Sequence, residues 1–105
     1  MKVEIYVLIA LVAYFLLLIR RKKIYRIYQS VNNGYDTYSE AIVCARSKRQ
    51  ARKYHPSGEY DYETVFKDET EFGSWAKEED VGVEYVGKAS ILTPKGVICS
   101  SFDAG

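Results

Sequence analysis

Hydrophobic and polar positions divide this chain sharply near residue 20. Residues 5–19 run Ile-Tyr-Val-Leu-Ile-Ala-Leu-Val-Ala-Tyr-Phe-Leu-Leu-Leu-Ile without a charge, Gly or Pro, and Arg20, Arg21, Lys22 and Lys23 follow at once. A run apolar all round has no polar stripe, which argues against both a surface helix of a core and an in-plane interfacial helix. The cations follow the run rather than precede it, and no small-x-small site separates the two, which argues against a signal peptide. The uncharged run rises about 22 Å as a helix, against about 30 Å of hydrocarbon. Snorkelling by Lys2 and Arg20, Tyr6 at an interface and local thinning can absorb that mismatch. The pattern therefore predicts a single transmembrane anchor over residues 1–23, in contact with a lipid bilayer. Arg20, Arg21, Lys22 and Lys23 outnumber the cations of the N-terminal flank. They set the expected topology: N-terminus outside, the rest in the cytoplasm, the flank beside anionic headgroups.

Beyond the junction the pattern shortens. Residues 23–31 and 38–45 are rich in aromatic and β-branched residues, and Asn32-Asn33-Gly34-Tyr35-Asp36 between them predicts a tight hairpin. Ser47 followed by Gln50 is a capping box, so a helix of about two turns is expected over 45–54, stopped by His55-Pro56-Ser57-Gly58. Residues 81–87 alternate as a strand, 96–102 form the last, and Thr93-Pro94-Lys95-Gly96 is the turn between. The order β-β-α-β-β predicts an α+β domain over residues 24–105: a small antiparallel sheet with one short packed helix. Residues 59–80 are less legible, holding nine acids among scattered aromatics. Trp75, within Phe72-Gly73-Ser74-Trp75, is the candidate packed aromatic there.

Charge changes the picture only once the anchor is set aside. The whole chain is near neutral, at +1, but residues 24–105 hold ten cations against thirteen anions. General nucleic-acid binding is not expected of an acidic domain. Its 82 residues suffice for one modest core. Cys44 and Cys99 lie in apolar surroundings and are expected to be reduced, small buried hydrophobes in a cytoplasmic domain, with a bridge between them expected only for the inverted topology.

Candidate chemistry is sparse. His55 is the single histidine, and its place before Pro56 at a helix end suits a C-cap better than a catalytic base. Cys44, His55 and Cys99 lack the paired spacing of metal ligands, and no Gly-rich phosphate loop is present. No catalytic residue, metal or cofactor is expected. The best candidate for a partner or anion site is the basic helix, Arg46, Lys48, Arg49, Arg52 and Lys53, with His55 at its end. Arg forks there could grip phosphate or an acidic partner.

Several stretches together resemble a family of small, largely uncharacterised proteins of tailed bacteriophages. They are Asn33 to Tyr38, Ala41 to Ala45, Ala51 to Pro56, Trp75, Val81 to Ala89 and Gly96 to Gly105. The resemblance covers nearly all of residues 24–105. Asp103 stands where the family pattern has Asn, and members generally lack an N-terminal anchor. It implies phage origin and an accessory role, and it brings no catalytic residues. The leading expectation is a membrane-tethered accessory module that binds or inhibits a host protein at the inner membrane face. Two others stand beside it: superinfection exclusion or lysis modulation through the anchor, and a small-ligand or nucleotide-signal binding module.

Overall fold

The computed structural model describes residues 2–19, 21–66 and 73–103. Elements run α1 (Lys2–Ile19), β1 (Lys23–Tyr28), β2 (Thr37–Ala45), α2 (Lys48–Arg52), α3 (Tyr62–Val65), a 3₁₀ turn (Glu78–Asp80), β3 (Gly82–Lys88) and β4 (Gly96–Asp103). One helix was expected between the two strand pairs. Among the described residues two short ones and a 3₁₀ turn occupy that interval instead.

The expected transmembrane anchor is overturned. No helix among the described residues is long and apolar enough to cross a membrane. The physical reason is length and charge together. α1 has 18 residues, but Lys2 and Glu4 occupy its first turns. The uncharged part rises only about 22 Å, less than the roughly 30 Å of a hydrocarbon core. Single-pass placement in a host inner membrane, with the topology derived from it, is corrected accordingly. The apolar side chains of α1 from Val3 to Leu16 are exposed.

The four strands form one antiparallel sheet in the order β3-β1-β2-β4. Alternation sends Tyr25, Ile27, Ala41, Val43, Ala45, Val83 and Val97 to one face, which is the period-2 signature of a half-buried sheet. Ala51 and Tyr54 after the Ser47 cap, Tyr62 of α3, and Trp75, Ala76 and Val81 close over that face. Trp75 is 1% exposed and is the largest fully buried side chain. The Tyr62 hydroxyl donates to the Ala76 carbonyl at 2.5 Å, tying α3 to the segment that carries the indole.

The expected tight Asn-Gly hairpin is replaced by an eight-residue loop, 29–36. Gln29, 6% exposed, organises it: its amide accepts from the Asn32 N–H and donates to the carbonyls of Asn32 and Tyr38. The left-handed residue is Asp36 (φ 59°), not the Asn-Gly pair. At α2 the Ser47 hydroxyl accepts from the Gln50 N–H at 3.1 Å. The Gln50 side chain reaches back one residue further than a capping box does, to the Arg46 N–H.

The opposite sheet face carries a cross-strand ion network. Arg26 donates to Glu40 at 2.7 Å and to Glu84 at 3.3 Å, and its guanidinium sits 4.5 Å from the Tyr28 ring centroid. Tyr28 in turn lies where a Cβ on Gly82 would stand. Both cysteines are free thiols. Cys44 is buried as expected of a small hydrophobe, whereas Cys99 is exposed on the edge strand β4, opposite Ile42.

Candidate functional site

His55 is 2% exposed and sits among three rings, Tyr38, Tyr62 and Phe66, each edge-on at 5.6 to 5.7 Å between centroids. The His-Pro-Ser-Gly turn brings the Ser57 N–H to His55 Nδ1 at 3.1 Å, and the Ser57 hydroxyl lies 2.7 Å from the same nitrogen. Nε2 faces the Ser74 hydroxyl at 3.4 Å, and the Ser57 hydroxyl also donates to Glu59. Desolvation holds the His55 pKa below its ordinary value, opposed by the nearby Glu59 carboxylate. Glu59 is itself held low, chiefly by the Ser57 hydroxyl. The C-cap role expected of His55 belongs to Lys53. The histidine instead links the turn to the aromatic core, and both its nitrogens are occupied by serines of this chain.

The basic helix divides. Lys53 Nζ lies 3.6 Å from both Asp61 and Glu78, so its charge is met within the domain. Arg52 is half-buried, with its Nε shut off from water and without a hydrogen bond among the described residues. Arg46, Lys48 and Arg49 are exposed. Thus the six residues expected to act together include two, Lys53 and His55, that are spent on internal contacts.

A cleft of about 290 Å³ lies beside Trp75, lined by Val31, Gly73, Ala76, Lys77, Glu79 and Asp80. It is shallow and open to solvent. No cluster of three or more potential metal ligands occurs among the described residues.

A different site emerges at the end of the sheet where α1 joins. Strand register brings three separated stretches together there: Lys23 lies opposite both Lys88 and Ala45, and Cys44 opposite Gly96. Arg21, Lys22, Lys23, Arg46, Lys88 and Lys95 therefore share one end, and residues 20–25, 43–49 and 85–97 contain no acid. Asp36, Glu79, Asp80 and Asp103 mark the other end. Arg20 lies outside the described residues.

Between β3 and β4 the chain makes a turn closed by Thr93 N–H to Ser90 O at 3.0 Å, so Ile91 and Leu92 take its two corner positions. They are 87% and 90% exposed. Turn corners are the usual places for Pro, Gly, Asn and Asp, and two large aliphatic residues there bury nothing. Lys22 holds the turn from below: its ammonium donates to the carbonyls of Ile91, at 2.8 Å, and Thr93. Of the four cations expected to flank a membrane anchor, Lys22 is thus committed to the domain itself. The Cys44 thiol lies against the same carbonyl of Thr93, and burial raises its pKa while Lys22 opposes the rise.

No sequence signal singled out this turn, because only the linear run Thr93 to Gly96 read as one. The available hint was an Ile-Leu pair between Ser90 and Thr93-Pro94, outside any alternating segment. No family model matches the chain, and neither the curated proteins nor the solved structures contain a match.

Proposed function

We propose that this protein is a non-catalytic docking module, of the accessory kind the tailed-phage resemblance implies. It attaches to an acidic partner through the end of the sheet where β1 and β4 begin. One observation carries the reading: a pinned turn displays Ile91 and Leu92 to solvent among cations drawn from stretches of sequence that contain no acid. Folding offers no reason to expose these residues, and an exposed apolar point rimmed by charge is a mark of an interaction site. Binding rather than catalysis is supported by the chemistry of His55, whose ring is enclosed by aromatics and bonded at both nitrogens. The phosphate-gripping alternative is weakened because Lys53 is already met by Asp61 and Glu78.

Retention of the full chain on immobilised polyglutamate, eluted with a salt gradient, tests the reading. The triple variant Arg21→Glu, Lys88→Glu, Lys95→Glu is expected to elute at markedly lower salt, because exposed charges act through a field that salt screens. Lys48→Glu with Arg49→Glu, on α2, is expected to shift elution less. Equal elution of the wild type and the triple variant, with circular dichroism unchanged, would overturn the assignment of this end.

A further inference from the structure

The shape of this end of the sheet bears on the kind of acidic partner it meets. We infer that the partner is an anionic lipid surface, approached from one side. Ile91 and Leu92 enter the boundary between headgroups and acyl chains, with Arg21, Lys23, Lys88 and Lys95 beside the headgroups. The inference rests on the proposed docking role of this end, and the contact requires no helix to cross anything.

Three features favour a lipid surface over a protein. First, the apolar element is convex and small: two adjacent corner residues rather than a patch. Stable protein interfaces bury about 800 Å² per partner around a central cluster, and a two-residue tip cannot supply that. A fluid interface closes around a tip of any shape. Second, the rim is made largely of lysine, with Lys23, Lys88 and Lys95 around the turn. Protein hot spots favour Trp, Tyr and Arg. Flexible ammonium groups suit the diffuse negative potential of an anionic leaflet, and their stems can lie along acyl chains while the charge stays in water. Third, the tip is held outward. Lys22 bridges the carbonyls of Ile91 and Thr93, and the Leu92 N–H donates to the Ser90 hydroxyl at 3.2 Å, so the backbone that carries the two aliphatic side chains is tied in place.

Charge complementarity supplies the orientation. The acidic end, with Asp36, Glu79, Asp80 and Asp103, is repelled by an anionic surface while the basic end is attracted. The sheet is thus expected to stand with its strand ends, not its faces, toward the lipid. Each cation near such a surface contributes roughly a fivefold gain in partition.

Leu92→Trp in the full chain provides a local reporter, because the native Trp75 is buried and its emission serves as a constant background. The chain is mixed with vesicles of phosphatidylglycerol or of phosphatidylcholine, each with and without brominated acyl chains. The expected result is a blue-shifted emission from the introduced indole, quenched by brominated lipid in phosphatidylglycerol vesicles. In the background of Lys88→Glu and Lys95→Glu, that quenching is expected to need at least tenfold more lipid. Equal quenching in both lipids would overturn the headgroup part of the inference. Emission that stays solvent-like on vesicles, in a chain still retained by polyglutamate, would overturn the lipid assignment and leave an acidic protein as the partner. Solvent-like emission together with loss of polyglutamate retention would overturn this inference and the docking role alike.

Discussion

Two residues show how much of this domain rests on single side chains. His55 is buried in its neutral form, and desolvation sets its pKa below the ordinary 6.5. The unfolded chain therefore binds a proton more readily than the folded one below that value. Stability from this group is fully present above about pH 6.5 and is lost as pH falls through the lowered folded value. Urea unfolding measured from pH 7.5 to 5 is expected to show falling stability below pH 6.5, and His55→Gln is expected to flatten that slope. Glu59 is also held low, so its own contribution is lost only further down, as pH falls below 4.5. A slope that persists in His55→Gln would assign the effect to another group. Gly82 is the second case, since a Cβ there would overlap the Tyr28 ring. Gly82→Ala is expected to swing the ring aside and break its stack with Arg26, at about 1 kcal/mol. That cost should vanish in a Tyr28→Ala background, where no ring is left to displace, and a double-mutant cycle measures it.

At the scale of elements, local chemistry was legible where one stretch of chain decides the outcome. Alternation marks β1 to β4 to within a few residues, and Ser47 starts α2 because its hydroxyl meets the Gln50 N–H. Ser47→Ala is expected to cost about 1 kcal/mol by thermal denaturation. Local reading failed where a distant group overrides it. Asn33-Gly34 carries a strong hairpin signal, yet the loop follows Gln29, whose side chain bonds Asn32 and Tyr38, and Asn32, whose amide reaches the Trp75 carbonyl at 3.0 Å. No spacing in the sequence announces that Trp75 will stand there. Gln29→Leu removes the loop's internal template and leaves the Asn32 N–H and the Tyr38 carbonyl wanting partners. A loss of about 2–3 kcal/mol is expected, with faster amide exchange confined to residues 29–38. An unchanged exchange pattern would mean the loop is held by the Asn32 contacts alone. The apolar run of α1 misled in another way: its composition read as a span, but its usable length falls short of one.

The candidate site belongs to the whole molecule, which is why the sequence hid it. Arg21, Lys23, Arg46, Lys88 and Lys95 are scattered over 75 positions of a chain whose net charge is +1, and only strand register collects them. That gathering has a cost within the fold. Lys23 and Lys88 stand directly opposite each other on β1 and β3, and like charges in facing positions destabilise a sheet by a few tenths of a kcal/mol to about 1 kcal/mol. A fold selected for stability alone would place an acid at one of the two positions. Lys88→Glu is therefore expected to raise the melting temperature, and raising salt from about 0.05 to about 0.5 M should stabilise the wild type more than the variant, because screening relieves a repulsion only the wild type has. The same substitution weakens the docking end by reversing one of its cations. Stability and attachment should thus move in opposite directions for this one change. If Lys88→Glu lowers the melting temperature, the facing lysines are not in repulsive contact, and the argument that this end trades stability for charge fails.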